Sequence, residues 1–210
     1  MSNWSGATGA TYAAFEAAAN AVVELVGTID DGWDRPGLGA WDLQALVGHT
    51  SRSFLTVISY LDRPAESEAI DSAAAYLALG RTLAGADAEA VAERGRQAGR
   101  DLGPDPSATV AERAATALAK VRATDPEALL TTIGGGMRLR SYLPTRTFEL
   151  VVHGYDIADA TGIDVDFGDV ALGAAVALAA EAAVRLDHGA DLIRALTGRG
   201  EWPAGFVVVR

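Results

Sequence analysis

Glu149, His153 and Asp156 stand four and three residues apart in the stretch Thr145 to Gly162, TRTFELVVHGYDIADATG. At about 100° per residue they fall within about 60° of one another on a helix, so one face carries a carboxylate, an imidazole and a second carboxylate. Phe148 and Val152 flank that face on one side and Leu150 and Ile157 on the other, with Val151 and Ala158 opposite. A helix that is apolar nearly all round is buried, and buried charge is costly unless it is paired or bound to a metal. Glu and His at i, i+4 can both reach one ion from one helix. His49 offers a third ligand from a second strongly apolar stretch, Trp41 to Tyr60, WDLQALVGHTSRSFLTVISY. Spacing alone leaves two readings open: a divalent metal site, or a Glu–His hydrogen bond inside a helical bundle.

Several elements must position these groups. Pro144-Thr145 reads as the start of the site helix, with Thr145 as N-cap, and Gly162 as the residue just past its end. Thr11 to Ile29 carries Phe15, Val22, Leu25 and Val26 on one face and predicts a first helix. Trp33, in the Gly/Pro/Asp-rich loop from Asp30 to Leu38, is expected over a bundle end or against a ligand. Asp42 caps a second helix that runs to about Leu61. On it His49, Arg52, Ser53 and Thr56 share a face, so the last three become candidates to line a pocket beyond a metal.

Ser67 to Leu102, alanine-rich and punctuated by Gly80, Gly85, Gly95 and Gly99, predicts one or two loosely packed helices, as a lid or a variable connection. Pro104-Asp105-Pro106 opens a helix over about Ser107 to Ala123. Leu129 to Tyr142 changes period around Gly134-Gly135-Gly136 and predicts a β-hairpin rather than a phosphate loop, because no lysine and helix follow in Walker order. Arg138 and Arg140 alternate onto one face of its second strand, and Arg146 sits three residues ahead of Glu149. Such arginines bind a substrate carboxylate or pair with nearby acids. Asp169 to Leu186 predicts another apolar helix, with His188 at its end where a cation suits the dipole rather than as a ligand. Ala190 to Leu196 predicts a short helix, and Gly205 to Val209 a terminal extended segment. No linker or repeat divides residues 1–210, which read as a single domain.

The segments GAWDLQALVGHTSR and RTFELVVHGYDIADATG, in this order, resemble the mycothiol-dependent maleylpyruvate isomerase family of the DinB-like superfamily. The C-terminal IRALTGRGEWPAGF is similar to the tail of its shorter members. The resemblance covers almost the whole chain. It implies a mainly α fold: a DinB-like up-down-down-up four-helix bundle with a small β-hairpin and a short C-terminal extension. It also implies a divalent metal held by His49, Glu149 and His153, usually zinc, and Asp156 matches the acidic residue that follows the ligand histidine. The isomerase for which the family is named carries a further C-terminal domain that helps build its active site. This sequence ends soon after GEWPAGF, which weakens the expectation of maleylpyruvate as substrate more than that of the metal or the thiol.

Composition bounds the rest. Half the residues are apolar, enough for a full core, and the formal net charge of -11 leaves no basic stripe for nucleic acid. The chain has no cysteine, which excludes disulfides, cysteine-ligated zinc and a protein thiol nucleophile, so any sulfur chemistry needs an external thiol. Met1 to Ala10 lacks the basic and apolar regions of a signal peptide, and charges interrupt every alanine-rich run, so the expectation is a cytoplasmic protein off the membrane.

Three ligands without cysteine leave a fourth position open, the pattern of a catalytic zinc, although His₂Glu also suits nickel, iron and manganese. Asp156 is then either an outer hydrogen-bond acceptor or an acid/base, and Arg52, Arg146 and Arg140 are candidates to bind substrate or thiol. The expected activity is isomerisation or thiol transfer on a small electrophilic substrate with mycothiol as co-substrate. A thiol-free metal-dependent hydrolase and a non-catalytic metal or small-ligand binding module are the alternatives.

Overall fold

The computed structural model describes residues 4–84 and 88–208. Their element order is α1 (Gly6–Gly27), α2 (Leu43–Leu61), α3 (Ala73–Ala84), α4 (Ala88–Arg100), α5 (Pro106–Ala123), β1 (Leu129–Thr132), β2 (Gly135–Arg138), α6 (Leu139–Thr161), α7 (Gly168–Arg185) and α8 (Gly189–Leu196). Gly85 and Val209, named above, lie outside the described residues, and residues 205–208 form no strand.

Four helices make the bundle, and their directions follow from who touches whom. Trp4, beside the start of α1, donates its indole N–H to Val121 O near the end of α5, while Ser107 at the start of α5 reaches Val26 O at the end of α1. These two helices are antiparallel. Arg113 bonds Ser51 and, two turns on, Lys120 bonds Ile58 O, so α2 and α5 run parallel. His49 meets His153 and Tyr60 meets Tyr142, so α2 and α6 are antiparallel. The order is therefore up-down-down-up, as the resemblance implies. Inside it Phe15, Leu43, Leu46, Phe54, Tyr142, Leu143 and Leu150 are fully buried, and each of the phenylalanines and leucines stabilises the fold by about 1.5–3 kcal/mol relative to exposure.

Local chemistry explains most boundaries. Asp42 accepts from Ala45 N at 2.7 Å and Asp105 from Ala108 N at 2.9 Å, capping α2 and α5 as their sequences predict. Gly162 ends α6 in the left-handed conformation, φ 71°, where a Cβ is strained.

The start of α6 corrects the sequence reading. The helix begins at Leu139 and continues through Pro144, so Thr145 is an interior residue whose hydroxyl donates to Tyr142 O at 2.6 Å. The turn before β1 makes this possible: Leu139 N bonds Ala128 O and Arg140 N bonds Pro126 O, which satisfies N–H groups a free helix end leaves unpaired. Arg140 consequently lies on the helix and not on β2.

The hairpin pairs Leu129↔Arg138 through Thr132↔Gly135 and is tied to the segment after α2 by bridges Pro64↔Leu130 and Ile70↔Met137. Helix α4 lies along α2 at very short range, since a Cβ on Gly48 would run into the Gly99 backbone. Helix α7 packs across α1, α3 and α6 through Ala171, Ala175, Leu178 and Ala182. The region expected to be loosely packed is thus two helices, one of them tightly seated.

Candidate metal centre

The antiparallel pairing of α2 and α6 brings His49, Glu149 and His153 together. One ligand atom from each lies within 4.8 Å of the others. His153 Nε2 is 3.3 Å from Glu149 Oε2, and the two imidazoles meet edge-on with centroids 4.9 Å apart. On its other side His153 donates Nδ1–H to Asp156 Oδ2 at 2.9 Å. Glu149, His153 and Asp156 do share one face of one helix, as their spacing requires.

Electrostatics distinguishes the three. Burial holds His49 down to about 4, reinforced by His153, so its ring is neutral near pH 7 and keeps a free electron pair. Burial also opposes charge on His153, but the hydrogen bonds to Asp156 and Glu149 outweigh it and raise the ring to about 9. Glu149 is pushed up by its surroundings and pulled down further by His153 and Arg146, reaching about 2. Without a cation the cluster therefore holds its own proton on His153, the Glu–His bond that spacing alone left open.

The donor set nevertheless fits a divalent ion. It comprises two imidazoles and a carboxylate, and the buried Nδ1 of His49 has no hydrogen-bond partner among the described residues. Asp156 fixes the orientation of His153 as outer carboxylates do for metal-ligating histidines. It is not on the cavity wall, so the geometry favours the acceptor role over the acid/base role.

A cavity of about 490 Å³ opens beside the three residues. Arg52, Ser53 and Thr56 line it from α2 and Arg146 from α6, as expected. Arg140 does not: it pairs with Glu127 on the outer surface, and Arg138 pairs with Glu68 and Glu127. Trp33 packs on the core and is not part of the wall. His188 bonds Asp191 and stacks on Phe206, apart from the cluster.

Sequence reasoning missed the aromatic part of the wall, Trp41, Tyr60 and Tyr76. Trp41 stacks on His49, centroids 4.5 Å apart. Its position eight residues before His49, two helical turns away and at the entry to α2, was the available signal. Tyr76 and Tyr142 meet edge-on, and the Arg146 guanidinium lies over both rings, 5.8 and 5.0 Å from their centroids. Burial pushes the Tyr76 hydroxyl up to about 12, so it remains a neutral donor. Helices α3 and α4 supply Leu77, Gly80, Val91, Ala92 and Arg94, closing the outer side of the cavity.

The fold and cluster together define a DinB-like helical protein with a His/Glu/His group at the head of a cavity. Residues 15–158 match the family described as mycothiol maleylpyruvate isomerase N-terminal domain, and the chain belongs to that family. It matches no curated protein and no solved structure. Among the described residues no helix is long and apolar enough to cross a membrane.

Proposed function

We propose that this chain is a metal-dependent enzyme that uses an external low-molecular-weight thiol, mycothiol in the first instance, to isomerise or conjugate a small electrophile. The observation that carries the reading is the convergence of His49, Glu149 and His153 within 4.8 Å at the wall of a cavity large enough for small molecules. Family membership supplies the thiol, and the absence of cysteine means no internal thiol competes for the role. On this reading residues 1–210 act as one cytoplasmic domain with zinc as the favoured ion. Nickel, iron and manganese remain compatible with the donors.

A divalent ion held there would supply the Lewis acidity that makes a thiol a thiolate near neutral pH, where a free thiol of pKa about 8.5 is mostly protonated. The protein's own groups do the rest. Glu149 contributes negative charge at the head of the cavity, and Asp156 keeps His153 Nε2 turned toward it. Arg52 and Arg146 face the partner molecule and stabilise negative charge carried by it or developing on it. Leu77, Val91, Phe148 and Val152 exclude water and hold the reactants close.

The sulfur forms a bond to the electrophilic carbon as the adjacent double bond opens, its electron pair passing onto the conjugated carbonyl oxygen and returning when the sulfur leaves. For a cis-enoic substrate, rotation about the new single bond and expulsion of the sulfur restore the double bond in the other geometry. For other electrophiles the thiol's proton ends on the neighbouring carbon and the thioether is the product.

The test is a cobalt-substituted protein titrated with mycothiol. A sulfur-to-cobalt charge-transfer band should grow to saturation and vanish in His49→Ala. A cobalt site that forms and shows no band at any thiol concentration makes a hydrolase or a binding module the better account.

A further inference from the structure

The two histidines of the cluster are held by different means. His153 has a carboxylate on its Nδ1. His49 has no such partner: its Nδ1 is buried without a hydrogen bond. What lies against His49 is the indole of Trp41, centroids 4.5 Å apart and planes 31° from parallel. The indole is itself fixed. Its Nε1–H donates to Ala92 O of α4 at 2.9 Å, across 51 residues of sequence. Gly95, one turn further along α4, leaves the space that the ring fills, since a Cβ there would collide with Cε2 and Nε1.

We propose that Trp41 is the positioning residue of His49, doing by ring stacking what Asp156 does for His153 by hydrogen bonding, with α4 as its anchor. The inference rests on the metal reading above. Stacking alone orients a neutral imidazole. Coordination of a divalent ion draws electron density out of that ring, and the tryptophan face is the best aromatic partner for positive charge. The stack therefore favours the loaded form over the free one. Because Ala92 also lines the cavity, α4 links the wall that a substrate touches to the ring that holds the ion.

The experiment uses the full chain and Co²⁺ alone as probe, read by the cobalt ligand-field spectrum and its titration well below the melting temperature. Trp41→Leu keeps apolar bulk and loses the stack; its Kd should rise about 10–100-fold, the usual cost of losing an outer orienting group. Trp41→Phe keeps an aromatic face and loses the bond to Ala92 O, so it should fall between the two. Gly95→Ala displaces the indole without altering it and should shift Kd in the same direction. Trp33→Leu removes another partly buried tryptophan away from the cavity and should lower stability while leaving Kd unchanged. A folded Trp41→Leu protein with wild-type Kd and spectrum overturns the inference and leaves the metal reading intact. Failure of the wild-type protein to bind Co²⁺ sinks the metal reading and this inference with it. A third readout needs no metal. Ring current should move the His49 Cε1 proton upfield in wild type and not in Trp41→Leu, and equal shifts in both would count against the stack.

Discussion

Asp156 accepts a 2.9 Å hydrogen bond from Nδ1 of His153, three residues before it on α6, and this contact settles which ring nitrogen faces Glu149. The carboxylate selects the tautomer with the proton on Nδ1, leaving Nε2 as the lone-pair atom once the second proton is lost. Asp156→Asn should therefore weaken Co²⁺ or Zn²⁺ binding about 10–100-fold. Isothermal titration measures this, and a folded variant with unchanged affinity would remove Asp156 from the site.

The metal-free protein should be most stable near pH 6.5, for reasons whose signs can be worked out group by group. His153 is raised from 6.5 to about 9, so its contribution is complete below pH 6.5 and is lost as pH rises through 9. His49 is lowered from 6.5 to about 4, so the unfolded chain takes up the proton first and stability falls from pH 6.5 toward 4. Glu149 is lowered from 4.5 to about 2, and its contribution disappears as pH falls across that interval. Urea midpoints of chelated protein at several pH values test the pattern. A midpoint that climbs steadily from pH 6.5 to 9 would contradict the His153–Glu149–Asp156 bonding.

If His49, Glu149 and His153 hold a divalent ion as proposed, metal should raise thermal stability by mass action, because the three donors converge in the folded chain and not in the unfolded one. At a hundredfold excess over Kd the gain is about 2.7 kcal/mol. Melts with and without chelator measure it. Coincident curves on protein verified to lose its metal would count against the site.

The site was more legible in the sequence than the elements carrying it. His49, Glu149 and His153 stood out because ionisable groups on apolar helices need partners, a rule that holds without knowledge of the fold. Arg52, Ser53 and Thr56 followed from helical spacing alone. The start of α6 was misread because Pro144-Thr145 has the chemistry of a helix start, whereas the true start at Leu139 draws its hydrogen-bond partners from the turn before β1. Arg140 was misplaced by the same error. Gly95 and Gly99 read as signs of loose packing, yet both are where α4 approaches the α2 region closely, Gly95 against Trp41 and Gly99 against Ala45. Trp41 was overlooked because its place two turns before His49 is a weak cue, and the contact that fixes its ring is with Ala92, a partner 51 residues away that no local pattern encodes.

Arg146 presents a case in which two effects of one charge oppose each other. Its guanidinium lies over the rings of Tyr76 and Tyr142, Nε donates to Thr145 Oγ1 at 3.0 Å, and it has no carboxylate within ion-pair distance among the described residues. It helps keep Glu149 ionised, which favours a metal, and it repels a dication, which does not. Magnitudes decide between them. Glu149 begins at about 2 and His153 lowers it more strongly than Arg146 does, so at pH 7 it stays ionised when the arginine is removed. The repulsion is lost entirely, a gain on the order of 1 kcal/mol after solvent screening. Arg146→Met should accordingly bind Co²⁺ about fivefold more tightly at pH 7, at about 1.4 kcal/mol per factor of ten. The advantage should shrink as pH falls toward 4, where holding Glu149 ionised begins to matter. Weaker Co²⁺ binding at pH 7 by a folded Arg146→Met protein would show that the arginine acts by holding the ligands in place, and that its charge is secondary.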